Sequence, residues 1–230
     1  MTSQKAYSQE LAERYDRRHF GGRSGFHVLQ KDCAALAALL PPAPGLVLDI
    51  PCGTGVYTAQ LAGMGYELVA ADASEPMLKI TAERNTGATT HLCSIHDLPF
   101  ANDTFDATVT LRLFSHFNQE ETSRGLHELK RIIKPGGRVI FDSFRWTPRR
   151  WPLLRHFVAQ SYIHEITPAQ VEELIHEAGL RVVAATTRYL FSPIWQRKLP
   201  YAVLRTLSTV ETKLPEQWLL RKFWACTKDA

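Results

Sequence analysis

Val47-Leu-Asp49-Ile-Pro51-Cys52-Gly53-Thr54-Gly55 decides how this chain folds. An apolar run ends on an acid, and two glycines come next with one residue between them. A strand, a tight turn and the start of a helix are written this way. Gly53 and Gly55 lack a Cβ, so the turn can take positive φ and let a ligand lie against bare backbone. Asp49 then brings a carboxylate to the C-terminal end of a central strand, the edge at which open α/β sheets bind ligands. A phosphate loop would need Gly-x-x-x-x-Gly-Lys-Ser/Thr, and this loop carries no such lysine. A dinucleotide fingerprint wants a small residue where Thr58 stands, and Asp49 would repel a pyrophosphate. A ligand with an amino-acid end and a ribose suits the loop better, because a carboxylate accepts hydrogen bonds from ammonium or water. An ordinary strand-to-helix turn could share this pattern, so the loop alone does not decide between the two.

Four further elements tip the balance. Asp72 closes the next apolar run, Leu68 to Asp72, about 20 residues past the first glycine, the spacing at which an acid meets ribose hydroxyls. Ser74 reads as a helix cap with Pro76 in the first turn, and Met77 turns back toward the strand end. In Ser94-Ile-His-Asp97-Leu98-Pro-Phe100, Asp97 can accept from an adenine amino group while Leu98 packs on the ring. Phe105 to Leu111 is another buried strand, with Asp106 at its start as a turn cap. From Leu129 to Asp142, a helix ending Ile-Ile-Lys is stopped by Pro135-Gly136-Gly137, and the strand Arg138 to Asp142 comes after it.

These five elements, in this order, resemble the class I S-adenosylmethionine-dependent methyltransferases over residues 7 to 190 or so. The resemblance implies an α/β, Rossmann-like sheet of seven mostly parallel strands, ordered 3-2-1-4-5-7-6, with helices on both faces and strand 7 antiparallel. It implies S-adenosylmethionine as cofactor and S-adenosylhomocysteine as product. Position by position, Asp49, Gly53 and Gly55 would line the methionine end, Asp72 would hold the ribose and Met77 would cover the adenine. Asp97 and Leu98 would bind the adenine's amino edge and face, and Leu111 would supply backbone near the sulfonium. Similar enzymes close an N-terminal Tyr over the cofactor and bring an Arg to its carboxylate, for which Tyr15 and Arg23 are the matching candidates.

Composition agrees with one domain spanning residues 1–230: an N-terminal lid over 1–40, a cofactor-binding core over 45–143, and substrate-side helices and last strands over 144–230. A chain of 230 residues is long enough for one substantial core. The four cysteines, at 33, 52, 93 and 226, have no paired spacing, which argues against a disulfide framework or a zinc cluster. Cys52 reads as a small packing residue. His91 and His96 flank a strand end without a third ligand at metal spacing. No apolar signal region or membrane-length run is present, so the expected compartment is the cytoplasm. Ahead of the first strand, Tyr7 and Tyr15 lie on a charged, helix-compatible stretch, and glycines at 21, 22 and 25 suit a hinge for the lid. A frayed terminus is the alternative.

Past Asp142 the chain turns basic and aromatic. Residues 145 to 155 hold four arginines and two tryptophans with no acid, and a capping-box pattern, Thr167-Pro-Ala-Gln170, opens a helix ending at Gly179. Strand Arg181 to Arg188 is succeeded by a basic amphipathic stretch over 193 to 222, a helical insertion, and by a last strand, Phe223 to Thr227. From 197 to 230 there are seven Lys and Arg against three acids. Such a surface could stack on RNA, lie against an anionic membrane or cover a hydrophobic substrate, and a solvated basic face accounts for it equally. The net charge of +4 is weak for a dedicated nucleic-acid binder and favours a small-molecule acceptor, with peripheral membrane contact open. Just past the fourth strand, His116 is the candidate general base, since histidine titrates near neutrality, and a helix-capping role is its alternative. Arg112 would orient an anionic acceptor or pair with an acid. The expected activity is methyl transfer to a small molecule. RNA or protein methylation and a non-catalytic cofactor-binding subunit are the alternatives.

Overall fold

The computed structural model describes residues 9–84, 86–144, 166–190, 196 and 199–228. Two helices, α1 (Gln9–Phe20) and α2 (Gly22–Leu39), precede an alternating series. It runs β1 (Leu46–Asp49), α3 (Val56–Gly63), β2 (Glu67–Asp72), α4 (Glu75–Glu83), β3 (Thr89–Leu92) and β4 (Phe105–Thr110). A 3-10 turn (Phe114–His116), α5 (Gln119–Ile132), β5 (Ile133–Phe144), α6 (Pro168–Glu177), β6 (Arg181–Arg188), α7 (Tyr201–Glu211) and β7 (Arg221–Thr227) complete it. The seven strands form one sheet in the order β3-β2-β1-β4-β5-β7-β6, as expected. Neighbours from β3 through β5 pair in parallel, and β7 is antiparallel to both β5 and β6.

Strand periodicity explains the layering. Side chains alternate between the two faces of a strand. On one face Leu48, Phe141 and Trp224 join Leu126 and Leu129 of α5 and Ile175 of α6 in a buried cluster. On the other, Val47, Ile140 and Phe223 join Leu36 of α2 and Leu61 of α3. Helix starts obey local chemistry. Asn118 with Glu121, and Thr167 with Gln170, form the reciprocal bonds of capping boxes.

Three boundaries differ from those expected of the sequence. α5 stops at Ile132, because Lys134 precedes a proline and is pushed toward extended backbone. Ile133 therefore already pairs with Phe105, and the register shifts before Ala107 meets Arg138. β7 begins at Arg221, inside the stretch expected to be basic surface. Asp106 fastens the strand start rather than capping a local turn: Oδ2 accepts from Leu46 N at 2.8 Å and Oδ1 from Lys134 Nζ at 2.8 Å. That ion pair holds the Asp106 carboxyl below its ordinary range. The arginine- and tryptophan-rich residues 145–155, Tyr7 and residues 193–195, 197 and 198 lie outside the described residues.

Candidate functional site

The glycine loop leaves β1 at its C-terminal end, between β2 and β4. Gly53 and Gly55 take φ of 56° and 76°, a region where a Cβ is strained. A Cβ on Gly55 would sit 2.9 Å from Thr81 Cγ2 of α4, whereas one on Gly53 would meet no atom within 4 Å. The loop is thus packed at Gly55 and open at Gly53. Asp72 braces the open side: Oδ2 accepts from Gly53 N at 2.9 Å and Oδ1 from Ser74 N at 2.9 Å. Ser74 is the N-cap residue of α4, as expected, but its side chain does not cap. Asp72 accepts the Ser74 amide, and the Ser74 hydroxyl is buried without a hydrogen-bond partner among the described residues.

Asp49 is 1% exposed and accepts from Thr58 Oγ1 at 2.6 Å. Burial pushes its carboxyl up to about 7, with the nearby Asp72 charge adding to the rise and the Thr58 bonds opposing it. Asp72 is raised by burial too, opposed by the amides that it accepts. Two acids kept from water side by side could hold a positively charged, hydrogen-bonding ligand. Cys52 is buried beside them, its thiol pushed up by burial, which suits a packing residue and not a nucleophile. Met77 is buried at the start of α4. Across β2, Asp97 is exposed, while Leu98 is buried with its amide donated to Glu128 Oε2 at 3.0 Å.

α1 lies against this edge. Asp16 accepts from Thr54 Oγ1 and pairs with Arg84, the C-cap residue of α4, and Arg84 Nε donates to the Thr54 carbonyl. Arg84 therefore reaches the loop, a contact that sequence reasoning does not find. Arg23 is exposed on the first turn of α2, with no hydrogen bond or ion pair to the loop among the described residues. Where α1 meets α2, a Cβ on Gly21 would collide with the Arg17 carbonyl and one on Gly25 with the Phe20 carbonyl, while Gly22 takes φ of 67° with no atom within 4 Å of an added Cβ. Tyr15 packs on His19 at 4.2 Å between centroids, the rings tilted by 35°. Both face Arg112, which comes after β4 and Leu111: Arg112 Nη2 donates to His19 Nδ1 at 2.9 Å, and the guanidinium lies 5.7 Å from the Tyr15 ring. His116 ends the 3-10 turn and is exposed.

Beneath Arg112 runs a buried network that sequence reasoning does not find either. Arg221 is 2% exposed and binds Asp32 of α2 through Nη1 at 2.9 and 3.0 Å, and Asp142 of β5 through Nε at 2.6 Å. Tyr57 and Tyr189 donate to Asp32 at 2.5 and 2.6 Å. The second oxygen of Asp142 accepts the backbone amide of Arg112 at 2.6 Å. The network thereby ties α2, α3, β5 and β7 to the turn that carries Arg112.

A methyltransferase-domain family profile matches residues 47–137. The demethylmenaquinone methyltransferase of Clavibacter sepedonicus is 36% identical over 171 residues, 73% of this chain and 67% of that one. A Streptomyces fradiae enzyme, dTDP-3-amino-3,6-dideoxy-alpha-D-glucopyranose N,N-dimethyltransferase, is 29% identical, covering 64% of this chain and 58% of that one. The match spans about half of some relatives, 50% of the Thermobifida fusca demethylmenaquinone methyltransferase for instance. Among solved structures, phosphoethanolamine N-methyltransferase 2 of Haemonchus contortus, in complex with S-adenosyl-L-methionine, has a TM-score of 0.71 at 18% identity, over 99% of this chain and 59% of that one. Magnesium protoporphyrin IX methyltransferase of Synechocystis PCC 6803, with bound S-adenosylhomocysteine, has a TM-score of 0.68 at 14% identity, over 94% of each chain. Those two likenesses concern the fold. The chain belongs to the class I S-adenosylmethionine-dependent methyltransferases, and S-adenosylmethionine is the cofactor of that family.

Proposed function

We propose that this protein transfers the methyl group of S-adenosylmethionine to a small, largely apolar acceptor held between α1 and the ends of β4 and β5. The open backbone at Gly53, flanked by buried Asp49 and Asp72, carries the reading. The residues fit the cofactor. Asp49 faces the ammonium end, Asp72 and the orphaned Ser74 hydroxyl suit ribose hydroxyls, and Met77, Asp97 and Leu98 take the adenine. Leu111 offers backbone at the sulfonium. Bound there, S-adenosylmethionine supplies an electrophilic methyl group. The protein's part is alignment and exclusion of water, from which a displacement draws much of its acceleration. Residues 1–40 serve as the lid, with α1 latched by Asp16 on Thr54 and Arg84 and Tyr15 facing Arg112. Arg112 orients the acceptor, and His116 at the rim is the candidate base. The names of the relatives, which include demethylmenaquinone and aminosugar methyltransferases, support a small-molecule acceptor.

The test is calorimetry with S-adenosylhomocysteine, then label transfer from methyl-labelled cofactor to fractionated cell extract. Binding with label in small molecules is expected. Label confined to acid-precipitable material would move the acceptor to RNA or protein, and absence of binding would end the proposal.

A further inference from the structure

Thr58 stands where a dinucleotide loop carries a small residue, and the fold shows what its hydroxyl does there. It lies in the first turn of α3, fully buried. The N-cap position of that helix is Gly55, which has no side chain to accept a first-turn donor. Asp49, on the strand before the loop, takes the part of the missing cap. Its Oδ2 accepts from the Thr58 hydroxyl at 2.6 Å, with both residues buried. A second bond, from the Thr58 main chain, joins the first in favouring the ionised acid. The other titratable neighbours do not help that charge: Asp72 on β2 repels it, and the Cys52 thiol is pushed up and stays neutral. Thr58 thus supplies both of the contacts that favour the charged form of Asp49.

A buried carboxylate without directed donors is free to turn and gains a proton readily. Thr58 opposes both. The start of α3 fixes where its hydroxyl lies, and the bond then fixes the carboxylate. An ionised carboxyl has about four acceptor sites, so the Thr58 bonds leave capacity for an ammonium. We propose that Thr58 is a positioning residue for the cofactor: its hydroxyl orients the Asp49 carboxylate and holds its charge for the ammonium of S-adenosylmethionine. The residue that sets this loop apart from a dinucleotide fingerprint is then the one that equips it for an amino-acid end. This inference rests on the methyltransferase reading and adds to it a residue that acts through Asp49 without touching the ligand.

The test is the pH profile of S-adenosylhomocysteine affinity, read by calorimetry from about pH 5 to about pH 9 for the wild type, Thr58→Val and Thr58→Ser. Wild-type affinity should fall below a midpoint of about 7, where the Asp49 carboxyl gains its proton. Thr58→Val keeps the shape and loses the hydroxyl. It should move the midpoint up by about one pH unit or more and weaken binding near neutrality about tenfold, the scale of a hydrogen bond to a charged group. Thr58→Ser should restore the midpoint. The ligand's own amine titrates equally against every variant and drops out of the comparison. In an Asp49→Asn background, Thr58→Val should find no midpoint to move. A residue that only packs α3 would change affinity by the same factor at every pH. An unmoved midpoint in Thr58→Val therefore overturns the inference, as does an equal shift in Thr58→Ser. If Thr58→Val does not fold, Thr58→Ala reads the same midpoint, and a wild-type affinity without a midpoint overturns the inference with no variant at all. Tight S-adenosylhomocysteine binding with an unmoved midpoint refutes this inference alone, whereas failure to bind at any pH refutes the methyltransferase reading.

Discussion

Cofactor affinity should depend on pH through Asp49, and Asp49→Asn should remove that dependence. The carboxyl is 1% exposed, and burial raises it from 3.8 to about 7. For an acid raised in the folded state, the folded chain keeps a proton that the unfolded chain releases. Asp49 therefore lowers stability increasingly as pH climbs from about 4 to about 7, and the full cost is present above that. Three pH units at roughly 1.36 kcal/mol each make the cost about 4 kcal/mol. A ligand ammonium recovers part of it by stabilising the ionised form. Affinity should then fall about tenfold for each pH unit below 7, reaching roughly 100-fold by pH 5, with one proton released on binding at low pH. Calorimetric titration with S-adenosylhomocysteine between about pH 5 and about pH 8, in buffers of different ionisation heat, reads both the affinity and the proton. Comparison with Asp49→Asn cancels the titration of other groups. The variant should bind more weakly at high pH, with a flat profile, and the apo variant should be more stable near neutrality. A wild-type affinity constant across the range, with Asn binding equally well, would refute the reasoning.

Three further outcomes are expected. Asp72→Ala should weaken S-adenosylhomocysteine by about 1–3 kcal/mol in the same assay, because it loses a charged acceptor and frees the Gly53 amide at once. Arg221→Ala strands Asp32 and Asp142 in the core, so equilibrium denaturation should show a loss of about 3–5 kcal/mol; a change under about 1 kcal/mol would mean that water or movement relieves the pair. His116→Ala should lower turnover by about 100-fold or more while leaving cofactor affinity unchanged, and an undiminished turnover removes His116 from the base role.

The sheet is legible in the sequence because each strand announces itself locally. Apolar runs end on Asp49 and Asp72, and glycines or capping boxes mark the turns beyond them. The glycine loop is legible for the same reason: its positive φ needs residues without a Cβ. The hidden part is non-local. Asp32 in α2 and Arg221 in β7 read separately as surface charges, yet they meet across 189 residues of chain inside the core. No spacing rule joins them, although an Asp on the otherwise apolar face of α2 beside Cys33 and Leu36 is a usable sign of a buried partner. Ser74 misleads because the Met77 amide that its side chain would cap bonds the Ser74 carbonyl, while Asp72 accepts the amide of Ser74 itself. Arg84 is hidden for the same non-local reason: only the fold of α1 onto the end of α4 brings its guanidinium to the loop.

The central claim is methyl transfer to a small apolar acceptor, and one labelling experiment tests it most directly. Pure protein is incubated with methyl-labelled S-adenosylmethionine and a fractionated cell extract, and the products are partitioned between organic solvent and acid precipitate. The account predicts label in an organic-soluble small molecule, reduced at subsaturating cofactor when Asp72 is replaced by Ala. Label found only in precipitated macromolecules, or no transfer from an extract that contains the organic-soluble fraction, would contradict it.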